Sequence, residues 1–251
     1  EGSRQKGVRD MPADLHDSAW VAERSLAYMQ DHADTEKPFF LVASFPDPHH
    51  PFDPPREVAE KYPADCALDP VGGPEDLTTR PRHYRAQYEG AWSRGGYGEA
   101  KHPNGVDREN EKERIALTYA MVDLIDRNVG RILDGLEEMG LADDTIVVFT
   151  SDHGELLGDH GLWAKGPFFY ECLINTPLMI ADPGGCEGGV CESLISALDL
   201  APTLCDLAGA ERIPFANGVS QANTVADPKI ENRDHCLVEY RNGYGDVDVA
   251  S

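Results

Sequence analysis

The sequence predicts an α/β fold, a sheet with helices on both faces, and three observations carry that reading. Short apolar runs at residues 39–45, 145–150 and 177–180 have the length and continuity of strands buried on both faces. Amphipathic stretches at residues 15–32 and 107–139 alternate with them, with apolar positions recurring every three or four residues. Two of the runs pass directly into clusters of Asp and His, and in sheets of this class ligands bind at the carboxyl ends of the strands.

In chain order, the first helix spans residues 15–32, with Trp20, Val21, Leu26, Tyr28 and Met29 among its apolar positions, and Pro38 follows it. The strand at 39–45 ends in residues 46–55, too rich in proline for regular structure. Residues 63–104, rich in Gly, Pro and polar side chains, read as a long surface excursion with little regular structure. Asp107 is placed to cap a long helix. Its predicted buried stripe runs through Ile115, Tyr119, Val122, Ile125, Val129, Ile132, Leu136 and Met139, and Gly140 ends it. The strands at 145–150 and 177–180 follow, then a short helix at 198–207, and residues 235–240 open a last strand. No internal repeat interrupts this order.

A chain of 251 residues accommodates one substantial α/β domain. It has no run of about 18 apolar residues, as a transmembrane helix would need, and residues 1–10 lack the apolar core of a signal peptide. With 45 acidic against 22 basic residues the net charge is −23, which argues against nucleic acid or an anionic membrane as partner. The 25 Asp, 20 Glu, 15 Arg and 7 Lys make a surface that repels itself in dilute buffer and is calmed by screening, as a salt-rich setting would supply. None of the six cysteines forms C-x-x-C. Cys186 and Cys191 are close enough in sequence to pair, although free buried thiols are the simpler expectation.

Three places hold candidate chemistry. Asp152 and His153 follow the strand at 145–150, and a carboxylate beside an imidazole can ligate a cation; the same pair also suits a turn in which Asp bonds the local backbone. Lys165, in Gly161-Leu162-Trp163-Ala164-Lys165, is a point charge suited to an anion, or a solvated loop lysine. His49 and His50, framed by prolines after the first strand, are imidazoles that a rigid loop would aim at the sheet edge or leave in solvent. All three fall where the fold would place one anion-plus-metal pocket.

These residues resemble the sulfatase family. The run from Thr150-Ser151-Asp152-His153-Gly154-Glu155 to Gly161-Leu162-Trp163-Ala164-Lys165 is similar to the second half of that family's catalytic domain. Pro48-His49-His50-Pro51-Phe52 resembles its P-H-x-P-[FY] segment, and residues 119–130 its long helix before the strand. Thr176-Pro177-Leu178-Met179-Ile180 and the S-x-x-D-x-x-P-T helix at residues 196–203 continue the match in order. The resemblance implies an alkaline-phosphatase-like α/β/α sandwich that hydrolyses sulfate esters. It implies Asp152 and His153 as ligands or near neighbours of a divalent cation, usually calcium (Ca2+). Lys165 and His49 would be catalytic and substrate-binding residues, the first gripping the sulfate and the second also protonating the leaving oxygen. His50 falls at the variable position and stays outside the implied site.

The sequence departs from the family in three respects. It contains neither C-x-P-S-R nor S-x-P-S-R, the segment whose Cys or Ser becomes the formylglycine nucleophile, and Ser44-Phe45-Pro46 lacks the arginine. Asp143-Asp144 precedes the wrong strand to be the family's first aspartate pair, and its K-x-H segment is absent. The expectation is therefore the C-terminal part of a sulfatase catalytic domain over residues 1–251, incomplete at both ends, with residues 235–251 opening a C-terminal subdomain. Its nucleophile would lie outside this chain, its substrate would be a small anionic sulfate ester, and the 251 residues alone would be inactive. A phosphoesterase or phosphonate hydrolase of the same superfamily, or a non-catalytic remnant, are the alternative readings. Arg80, Arg82, His83, Arg85 and Trp92 on the excursion are candidates for meeting the alcohol half of a substrate.

Overall fold

The structure, a computed structural model, describes residues 7–35, 37–89, 111–186 and 188–240, so Trp92 and Asp107 lie outside the described residues. They form two compact units, the first from the described parts of residues 1–141 with 155–166 and the second from those of 142–154 with 167–241. The first unit holds a 3-10 turn at Ala13–Leu15, α1 (Asp17–His32) and α2 (Arg56–Ala59), then 3-10 turns at Ala64–Cys66 and Pro74–Thr79. It continues with α3 (Arg82–Tyr88), α4 (Glu111–Glu138) and a 3-10 turn at Asp159–Gly161. The second unit holds β1 (Val147–Thr150), α5 (Glu171–Ile174), β2 (Leu178–Ala181), α6 (Leu200–Leu207) and α7 (Ala222–Ala226).

The first unit is organised around α4. Its first turn carries Glu111 and Glu113, which favour the positive end of the helix dipole. Its C-terminus closes at Gly140, whose φ of 69° suits glycine, with Leu141 N–H donating to Leu136 O at 3.0 Å. Leu117 and Met121 pack with Phe52 and Ala59, while Ala120 and Leu124 pack with Val58. Burying one such Leu or Met side chain contributes about 1.5–3 kcal/mol. Helix α1 lies against α4, and its buried positions include the small residues Ala19, Ala22 and Ser25. A Cβ on Gly135 of α4 would fall 2.2 Å from Leu26 Cδ2, so the glycine makes room for α1.

In the second unit β1 and β2 pair antiparallel, Val147 opposite Ala181 and Thr150 opposite Leu178. Asp199, 1% exposed, organises the C-terminal part. Its carboxylate accepts from Ser196 N at 2.8 Å, Val219 N at 2.7 Å and Arg233 Nη2 at 2.8 Å. A buried carboxylate is tolerable only with such a set of donors. Among the described residues no helix is long and apolar enough to cross a membrane.

Several sequence-based expectations are corrected. Residues 39–45 are in no strand: exposure alternates along them, with Phe40 75% and Val42 69% exposed. Burial on both faces needs ladder partners and covering layers, and no described residue pairs with this segment. Of the stripe expected on α4, Ile115 and Leu136 are buried, the middle positions are half-buried and Val122 is 48% exposed. Other buried positions are Leu117, Ala120, Met121, Leu124 and Asn128, on the face that α1 and α2 help to cover. Trp20 of α1 is likewise 62% exposed while Met29 is buried. The excursion is more ordered than its composition suggests, since α3 and two 3-10 turns lie within its described part. Residues 235–240 form no strand. All six cysteines are free; Cys66 and Cys186 are exposed and the other four are half-buried, so none is a core thiol.

Candidate functional site

In the first unit, residues 46–55 carry His49 at the end of a turn closed by His49 N–H donating to Pro46 O at 3.1 Å. The far end is anchored by Gly7 N–H to Phe52 O at 2.9 Å and by Arg9 Nε to Asp53 Oδ2 at 2.7 Å. The exposed His49 ring has its Nδ1 2.7 Å from the backbone oxygen of His50. A carbonyl only accepts, so Nδ1 carries the proton and Nε2 is the nitrogen that takes up or gives away a second one. The His49 and His50 rings are 3.9 Å apart between centroids. His50 is shifted below the usual imidazole pKa, first by burial and then by the charges of His49 and Lys165.

Lys165 ends the most strained segment of the unit. Leu157 (φ 48°), His160 (φ 55°) and Ala164 (φ 61°) all sit in the left-handed region, alongside Gly158 and Gly161. Each such non-glycine residue costs about 1–3 kcal/mol and persists only where its surroundings over-determine it. They do so here. Asp159 Oδ1 accepts from Val71 N at 2.7 Å, His160 N–H donates to Val71 O at 2.8 Å, and His160 Nδ1 lies 2.8 Å from Asp76 Oδ2. Leu162 is fully buried, and Trp163 packs with Ala67 and Ile115 beneath the Arg114 guanidinium, 5.3 Å from its ring centroid. Two residues after Trp163, Lys165 emerges half-buried. The Glu155 carboxyl lies within its electrostatic reach; burial pushes its pKa up, against the pull of the Leu157, Ala164 and Leu156 amides and of the Lys165 charge.

In the second unit, Asp152 and His153 follow β1 directly. Asp152 Oδ1 accepts from His153 N at 2.9 Å, the turn-stabilising role that was one of its two expected readings. His153 Nδ1 lies 2.7 Å from Gly154 O, which by the same carbonyl argument leaves the Nε2 lone pair for a ligand. That Nε2 is 3.6 Å from Asp152 Oδ2, and the Asp152 side chain is 85% exposed. This donor pair fits two positions of a divalent-cation shell, a carboxylate and an oriented imidazole. It does not make a site by itself: among the described residues no group of three or more His, Cys, Asp and Glu converges.

The sequence reading missed two residues here. His50, left out as the variable position of its motif, feels both His49 and Lys165. Glu155, quoted only within the run that follows the strand, is a buried carboxyl within electrostatic reach of Lys165. A charged residue two places beyond a candidate ligand pair was the available signal for Glu155.

The Sulfatase family model matches residues 9–210. The chain is 31% identical over 237 residues to an arylsulfatase of Clostridium perfringens, covering 91% of this chain and 46% of that protein. It is 34% identical over 233 residues to a choline-sulfatase of Rhizobium meliloti, covering 88% of this chain and 42% of that protein. Among solved structures, the phosphonate monoester hydrolase SpPMH from Silicibacter pomeroyi superposes with a TM-score of 0.77 at 26% identity, over 89% of this chain and 44% of that one. The chain thus spans a little under half the length of these relatives, and its α/β fold is part of the alkaline-phosphatase-like architecture they share. The implied P-H-x-P, S-D-H-G and W-x-K segments all fall inside the matched stretch, and the chain belongs to the sulfatase family.

Proposed function

We propose that this chain is the C-terminal part of the catalytic domain of a sulfuric ester hydrolase, and that it supplies the residues that grip the sulfate and receive the leaving oxygen. The observation that supports this best is the strained segment at residues 157–164, pinned from two sides, which spends conformational energy to present Lys165. A lysine so held neutralises charge that develops on the sulfuryl oxygens. His49, with its proton on Nδ1 committed to a carbonyl, takes a second proton on Nε2 and passes it to the ester oxygen as the S–O bond breaks. Asp152 and His153 would hold a calcium ion, which when bound adds Lewis-acid polarisation of the sulfate. The attacking oxygen would come from a formylglycine outside this chain. Arg80, Arg82, His83 and Arg85, around the start of α3, would meet the alcohol half of the ester, and residues 235–251 would begin a C-terminal subdomain.

Release of sulfate from 4-nitrophenyl sulfate tests the reading. The 251 residues alone are expected to release none, while the protein that carries this sequence together with its nucleophile is expected to turn over and to lose turnover on Lys165→Ala. Turnover by the 251 residues alone would contradict the assignment of the nucleophile. The likeness to SpPMH supports a second reading, hydrolysis of phosphonate monoesters. A higher kcat/KM for 4-nitrophenyl phenylphosphonate than for the sulfate would select it.

A further inference from the structure

A buried polar trio stands behind the loop that carries His49, and neither the family match nor the proposed mechanism uses it. His16, 1% exposed, caps the N-terminus of α1, its Nδ1 accepting from Ser18 N at 3.4 Å. The same Nδ1 lies 3.4 Å from Asp47 Oδ2, and the Ser18 hydroxyl donates to that oxygen. Ser18 is fully buried and the Asp47 side chain only 7% exposed. Among the described residues the His16 Nε2 has no partner, so the imidazole is engaged solely through the nitrogen that faces Ser18 and Asp47.

Such an arrangement is costly, because a carboxyl group and an imidazole removed from water give up solvation that only the Ser18 hydroxyl bond and long contacts offset. Apolar packing would hold a loop more cheaply. What a hydrogen-bonded carboxylate adds is direction: it fixes the backbone at Asp47, two residues before His49, inside the turn that His49 N–H closes on Pro46. The far end of the same loop is tied to residues 7–9. We propose that Ser18, itself held by the His16 cap, is a positioning residue for His49, its hydroxyl holding Asp47 and so setting how the loop presents the imidazole. This rests on the reading above in which His49 meets the sulfate. Other charged groups near Asp47 are Asp17 and Arg9, and neither bonds it.

The test uses the 251-residue chain and 15N-detected NMR of the His49 ring, which reports which nitrogen is protonated, together with titration by inorganic sulfate. Ser18→Ala and Asp47→Asn are the variants, and Leu124→Ala is the control, a core change in the same unit that removes none of the trio's hydrogen-bonding groups. The expected result is a mixed His49 tautomer in both trio variants and sulfate binding weakened about tenfold, the scale on which supporting hydrogen-bond partners act. Leu124→Ala, at a comparable loss of Tm, keeps the wild-type tautomer. Unchanged His49 signals in both trio variants would overturn the proposal, as would the same change in Leu124→Ala. His49→Gln separates the two readings. If it leaves sulfate titration unaltered while the trio variants still shift the His49 tautomer, the positioning role stands and the sulfate-binding role of His49 falls.

Discussion

His153 Nδ1 lies 2.7 Å from the carbonyl oxygen of Gly154, and that single contact decides which imidazole nitrogen is left for a ligand. The carbonyl is held in place because Gly154 N–H donates to Leu173 O at 2.9 Å. Glycine is required there by space: a Cβ would stand 1.8 Å from the Cys172 carbonyl oxygen, a backbone atom that cannot swing aside. Gly154→Ala is therefore expected to cost about 1–3 kcal/mol, the range for forcing atoms into a packed site. Urea denaturation measures it, and a change below about 0.5 kcal/mol would show that the turn adapts.

That turn also marks how far the sequence could be read. Asp152, His153, Lys165 and His49 stood out because their types and spacing carry chemistry whatever the surrounding contacts. The α4 helix and its Gly140 stop were legible because they follow from periodicity and from backbone sterics. Residues 39–45 misled because an apolar run reports what a strand prefers, and only pairing partners decide what it gets. The strained φ values of Leu157, His160 and Ala164 left no sign in composition, since they are imposed by contacts to Val71 and Asp76, more than eighty positions away in the chain. His16 and Asp47 were silent for the same reason: a cap residue and a loop aspartate become a pair only when α1 is folded.

The proton on His49 Nδ1 predicts a dependence on the leaving group. An alkoxide is a poor leaving group and needs a proton, whereas 4-nitrophenolate departs unaided. In the active protein that carries this chain, His49→Ala should lower kcat about 10²–10⁴-fold with an alkyl sulfate and far less with 4-nitrophenyl sulfate. Lys165→Ala should lower turnover about 10²–10³-fold with both, since its charge serves the sulfuryl group that they share. Steady-state kinetics with the two esters separates the roles. Equal losses with both substrates for His49→Ala would assign it to sulfate binding alone.

Burial holds the Asp47 carboxyl above its unfolded pKa of 3.8, against the opposing pull of the Ser18 hydroxyl and of His16. The folded chain then keeps a proton that the unfolded chain has lost. The stability this gives is fully present below the unfolded value and drains away as pH rises through the folded one. Other carboxyls have the opposite sign; Asp76, hydrogen-bonded to His160, is held below its usual value. A comparison of wild type with Asp47→Asn isolates the one group. The stability advantage of wild type over Asp47→Asn should be larger at about pH 4 than at about pH 7. A difference independent of pH would place Asp47 in solvent.

Charge repulsion on α4 gives a prediction that needs no assay of function. Its C-terminal end carries exposed Asp134, Glu137 and Glu138, with no basic residue in the last turn, at the negative end of the helix dipole. Asp134 and Glu138 are four apart, a like-charge pair on one face. Both effects are unfavourable, and both are reduced by screening. Glu138→Lys reverses them at once and is expected to stabilise the chain by about 0.5–1 kcal/mol in dilute buffer. With a net charge of −23, the wild type should gain Tm as salt is raised toward molar concentration. The gain for Glu138→Lys should be smaller, because the variant has already removed part of what salt would screen. Thermal melts of the two proteins across a salt series decide it. A Tm flat in salt for wild type would mean that its acidic surface is already compensated, and a Glu138→Lys benefit that persists in molar salt would trace to packing and not to charge.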